Sequence, residues 1–224
     1  MTSGLDDIIL DVERMLQVLT DPNGFFKKRI KEDIEWKNPL IIMVLMAIVG
    51  AVTIYTTMMS TLQSVMSLDF LEGTGKIIVI IFMIIGSMIG VLFSWLLYTV
   101  IFYIISNIFS GEGDFKRLME FTSYGFIPNI ASSLISAYYT NKVFSNIDFA
   151  SVADPQAVQD MIFADPSMKI ASILGIIFTL WSANIWIFGV KYARDLSLRN
   201  AVITVGIPIG LGLLYTILTV FVLR

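Results

Sequence analysis

The sequence predicts an all-α, polytopic membrane protein in which a short N-terminal amphipathic helix precedes five transmembrane helices. Three observations predict it. Five stretches, Pro39 to Leu62, Ile77 to Phe109, Phe121 to Tyr139, Ile170 to Val190 and Ala201 to Leu223, contain no Asp, Glu, Lys or Arg. Each is about as long as, or longer than, the ~20 residues that a helix rising ~1.5 Å per residue needs to cross ~30 Å of hydrocarbon. Hydrophobic residues make up 56% of the 224, so the spans and their connections take up nearly the whole chain. Backbone amides in lipid have no water to bond, so uninterrupted apolar runs of this length are helices. Two regions follow: residues 1–38, with amphipathic and interfacial helices, and residues 39–224, the five-helix membrane domain.

The first element is amphipathic. Leu5, Ile8, Ile9, Val12, Met15, Leu16 and Leu19 recur at helical spacing, Ser3 stands at the N-cap, and Asp6 follows three positions on. Docking on the protein's own loops, on a protein partner or on a lipid surface all fit this pattern. Its acidic polar face opposes strong attraction to anionic lipid. The acidic N-terminus also lacks the basic lead and small-residue cleavage site of a signal peptide.

A second short helix starts at Asp21-Pro22, a cap followed by the residue best suited to a first helical position. Its Phe25-Phe26 and Lys27-Lys28-Arg29 read as an interfacial anchor, rings in the acyl boundary and cations on phosphates. Trp36 to Pro39 lead into the first span.

Within the spans, small residues repeat every four positions: Gly86, Gly90 and Ser94; Gly125, Asn129, Ser133 and Ala137; Ala171, Gly175, Thr179 and Ala183; Gly206 and Gly210. Such stripes let helix backbones approach where lipid supplies no hydrophobic force, within one chain or in a homo-oligomer. Asn129 and Asn184 are the strongest intramembrane polar positions. Interhelical hydrogen bonding is their ordinary use; a polar pore or substrate site is the alternative, to which Pro128 and Pro208 add carbonyls freed by kinks. The second stretch is long enough to protrude near Tyr103 and Asn107. The connection from Thr140 to Lys169 is acidic, with a short helix from Asp154-Pro155 to Asp165-Pro166 lying over the helix ends.

Eleven of the 15 Lys and Arg fall on residues 1–38 and the connections 110–120 and 191–200, and four on the other side. The positive-inside rule therefore puts the N-terminus in the cytoplasm and the C-terminus outside.

No chemistry stands out. The chain has no His and no Cys, which removes an imidazole base, a thiolate nucleophile and the usual zinc ligands. No carboxylate pair lies at membrane depth, and no DxDxDG calcium loop occurs. A net charge of −3 gives no basic surface for nucleic acid. The expectation is no enzyme, no cofactor and no metal site.

Several segments in order resemble the Yip domain family of five-span, Ypt/Rab-interacting membrane proteins. They are Asp21 to Phe26, Gly111-Glu112-Gly113-Asp114-Phe115-Lys116, Tyr124 to Pro128, Trp181, and Leu196-Ser197 to Ala201. The likeness covers roughly residues 18–223. Eukaryotic members carry a long cytosolic N-terminal region and a glycine-tyrosine-serine motif near the third span; here that region is about 38 residues and the match is Ser123-Tyr124-Gly125. The resemblance therefore implies a prokaryotic-type member, in a prokaryotic cell membrane. Its expected role is a membrane scaffold or adaptor linked to membrane organisation or trafficking, with protein partners reached through the N-terminal helix. The alternative is a passive channel or carrier for small solutes, ions or lipids.

Overall fold

The computed structural model describes residues 16–65, 74–147 and 155–222, and every regular element among them is helical. The expected N-terminal helix lies largely outside the described residues; its end, 16–20, is helical. Helix α1 (Pro22–Arg29) begins as its sequence requires. Asp21 caps it, Oδ1 accepting the Gly24 amide at 2.9 Å, and Pro22 takes the first turn.

Helices α2 (Lys37–Val65) and α3 (Thr74–Ile108) follow as long apolar rods. The third stretch is not one helix. It is divided between α4 (Phe115–Tyr124), which is strongly amphipathic, and α5 (Ile127–Phe144). The break at Gly125-Phe126 has a physical cause. Pro128 sits in the first turn of α5, where its missing N–H leaves no bond unmade, so it starts a helix instead of kinking one. Beyond it come α6 (Pro155–Ala164), α7 (Pro166–Ala193), α8 (Leu198–Ile217), which holds Pro208 in its interior, and a π-helical turn, Leu218–Val222.

Among the described residues four segments are long and apolar enough to cross a membrane: 37–56, 77–108, 166–193 and 198–222. Helix α5 has 18 residues and carries Asn129, Ser132, Ser133, Asn141 and Lys142, which dilute its apolar character. The short helix expected in the acidic connection is α6. Asp165 ends that connection and caps α7, its side chain accepting the Ser167 amide at 2.7 Å. Asp148 and Asp154 lie outside the described residues.

Helix α7 is the hub, touching α1, α4, α5, α6 and α8. The main core is concentrated at one end of the bundle, around Phe26, Phe102, Leu118, Phe121, Ile185, Trp186, Ala201 and Val205. Away from that end, the helices present apolar side chains outward: Phe82 is 71% exposed and Phe93 62%. In water such a surface would be untenable; in a bilayer it is the lipid-facing surface. A small second core, Val143 and Ile147 with Ile162 and Met168, joins α5, α6 and α7 at the opposite end.

Candidate functional site

The well-packed end is built around one indole. Trp186 of α7 stacks on Tyr98 with centroids 4.9 Å apart and meets Phe126 and Phe102 at 5.4 and 5.7 Å. Each such pair contributes about 0.5–1.5 kcal/mol beyond area burial. Its Nε1 donates to the Thr122 carbonyl at 2.7 Å, so the last turn of α4 is tied to α7. Gly125 makes this possible, because a Cβ there would run into the indole ring. Trp95 repeats the device from α3, donating to the Met119 carbonyl at 2.8 Å.

Two buried arginines then hold the connections at this end. Arg29, at the end of α1, donates from Nε to Glu120 Oε1 at 2.8 Å, and Arg117 donates from Nη1 to Glu120 Oε2 at 2.7 Å. Glu120 is wholly buried. Arg29 also pairs with Glu32 at 2.5 Å and donates to the Asp33 carbonyl at 2.8 Å, while Arg117 donates to the Glu32 carbonyl. The segment between α1 and α2 is thereby clamped to α4. Burial acts first on both partners, in different senses. It pushes the Glu120 carboxyl above the ordinary carboxylate range, with Arg29 and Arg117 pulling it partly back. For Arg29, burial acts to lower the guanidinium, but the Glu120 charge and the hydrogen bonds outweigh it and the net shift is upward. The two contacts, of charge-assisted length, favour an ionised Glu120 in this pair, held there against a desolvation cost.

Arg194, just past α7, is the second node. Its Nε donates to Ser106 Oγ at 3.0 Å, Nη2 to Asn107 Oδ1 at 2.6 Å, and further bonds reach the carbonyls of Gly111 and Gly113. The guanidinium also lies over the Tyr103 ring, 4.3 Å from its centroid. In return Glu112 donates its amide to the Arg194 carbonyl at 3.0 Å. Gly113 has φ +114, and a Cβ there would strike the Ala193 carbonyl, so this close approach requires glycine.

Between the clamped segments lies a cleft of about 340 Å³, bordered by Ile30, Ile34, Glu112, Asp114, Arg117, Tyr192 and Asp195. It has an aliphatic wall and an acidic rim. Among the described residues no group of three acidic side chains is arranged to hold a metal ion.

The residues singled out from sequence are scattered. Phe25 and Phe26 do not face lipid: both are buried, Phe25 edge-on to Tyr124 and Phe26 against Phe121 at 4.8 Å. Both rings are taken up by packing on α4, and Phe26 also lies against α7 at Gly189. Arg29 is turned inward by Glu120, and only Lys27 and Lys28 of the expected anchor are exposed. Asn129 accepts from Ser182 Oγ at 3.1 Å, an α5–α7 contact, whereas Asn184 points outward and is not brought near it. Gly86, Gly90, Gly175, Gly206 and Gly210 have open space for 4 Å around where a Cβ would stand. Pro128 is buried at the start of α5. Sequence reasoning passed over Glu120, Arg117 and Arg194, which read as ordinary loop charges; the signal available was Glu120 abutting an apolar run.

A sequence profile of the Yip1 domain matches residues 16–219. An uncharacterized protein of Methanocaldococcus jannaschii is 35% identical over 134 residues, which are 58% of this chain and 92% of that protein. No solved structure matches. With its order of apolar helices and a match spanning nearly its whole length, the chain belongs to the Yip1 domain family.

Proposed function

We propose that the chain is a non-enzymatic membrane adaptor, with α2, α3, α5, α7 and α8 all crossing the bilayer and the arginine-clamped end in the cytoplasm. The cleft at that end receives an extended segment of a protein partner, in the service of membrane organisation. One observation carries the reading: two buried arginine nodes commit many hydrogen bonds to fixing three connections around a cleft with an aliphatic wall and an acidic rim. Family membership and the clustering of Lys and Arg on these connections support it.

The test is a photo-crosslinking residue at Ile34 or Tyr192 in native membranes, with Leu134 on the apolar surface as control. A discrete protein adduct at both cleft positions and none at Leu134 is expected. Absence of any cleft adduct, together with solute flux through liposomes that Asn129→Leu alters, overturns the adaptor in favour of a carrier.

A further inference from the structure

The remade anchor points to a lipid site that differs from the one read in the sequence. Helix α1 and the helical segment 16–20 before it are tied to the last three turns of α7: Trp181 Nε1 donates to the Leu19 carbonyl at 3.1 Å and Tyr192 Oη donates to Asn23 Oδ1 at 2.8 Å. Those two ties are about 16 Å apart along α7 at ~1.5 Å per residue. On one side of them α7 exposes Ile170, Ile173, Ile177 and Leu180, an apolar, lipid-facing surface. Lys191 stands beside the second tie, and beyond it comes the polar connection to α8. The change from hydrocarbon to headgroups therefore falls alongside α1, and the exposed Trp181 and Trp36 sit where interfacial aromatics belong.

With Phe25, Phe26 and Arg29 turned inward, the outer face of α1 and the turn after it carries Lys27, Lys28 and Lys31. All three are exposed, and their ammonium groups make no hydrogen bond or ion pair among the described residues. Placement in the last turn favours Lys27 and Lys28 through the helix dipole, but that leaves their ammonium protons free. Beside Lys28 is a hollow of about 220 Å³ walled by Gln17, Phe25 and Glu32. Arg29 also lines it, and the one acidic group there, Glu32, is paired at 2.5 Å with that guanidinium, which it shares with Glu120.

We infer that Lys27, Lys28 and Lys31 form a docking face for the headgroups of anionic phospholipids in the adjoining leaflet, with Gln17 and Lys28 lining the seat of one phosphate. Buried rings hold the helix on the protein, and the lysines hold the lipid.

The experiment uses the full chain in phosphatidylcholine vesicles and reads quenching of its tryptophans by brominated lipid. Brominated phosphatidylglycerol is expected to quench more strongly than brominated phosphatidylcholine. The triple variant Lys27→Gln, Lys28→Gln, Lys31→Gln removes this preference, a loss on the order of a hundredfold at ~1 kcal/mol for each cation. Lys116→Gln, an exposed cation elsewhere, retains it. Equal quenching by the two lipids, a preference that survives the triple variant, or displacement by inorganic phosphate at constant ionic strength overturns the inference. The last outcome would mean that the site reads a free anion and not a lipid.

Discussion

Glu120 concentrates the opposing forces at this end of the molecule. Its carboxylate takes hydrogen bonds from Arg29 and Arg117 while excluded from water. Burial is the larger influence and raises the folded-state pKa above the unfolded value near ~4.3. The linkage sign follows. The stabilising contribution of this group is complete below the unfolded pKa and is lost as pH rises through the folded one. The stability gap between the parent chain and Glu120→Gln is therefore predicted to narrow as pH rises from about 4 toward 7. Thermal unfolding in detergent across that range checks it; a gap that widens with pH would mean that the arginines outweigh burial. The inward turn of Arg29 was not legible beforehand. A helix bearing Phe-Phe-Lys-Lys-Arg satisfies an interface with its rings in lipid, and it satisfies a protein core equally well once an acidic partner waits there. What decides is Glu120, distant in sequence by 91 positions.

At the scale of elements, the glycines divide into those that permit contact and those that face open space. Gly125→Ala drives a methyl into the Trp186 indole and is predicted to destabilise by about 1–3 kcal/mol, the usual penalty for overpacking. Gly206→Ala and Gly175→Ala are predicted to stay within about 0.5 kcal/mol of the parent, since a methyl there meets open space. Unfolding curves for the three variants check both halves. A large loss at Gly206 would place that face against a second copy of the chain. The start of α1 was readable because Asp21-Pro22 encodes it locally, whereas Asp165-Pro166, expected to end the short outer helix, also caps the start of α7. The division of the third stretch was not, because an apolar run records burial and not continuity. Tyr124-Gly125-Phe126 had to be seen against Trp186 before Pro128 became the start of a helix.

At the scale of the whole molecule, order is unevenly distributed. Charge exclusion and length made the apolar rods legible, and the segment order made the family legible. The clustering of the core at one end was not legible, because an outward-facing Ile and a core Ile look alike in a sequence whose helices are apolar on most sides. That asymmetry underlies the account: one end is a braced platform whose connections surround a cleft, and the remainder is lipid-facing helix. The platform requires Lys31, Glu112 and Asp195 to lie on the same side of the membrane. The chain has no cysteine of its own, so single cysteines at these positions give clean labels. A membrane-impermeant maleimide applied to right-side-out and inverted vesicles is the most direct test. All three are expected to react in inverted vesicles and none from outside; reaction of any one of them from the opposite face would show that the three connections do not share one platform.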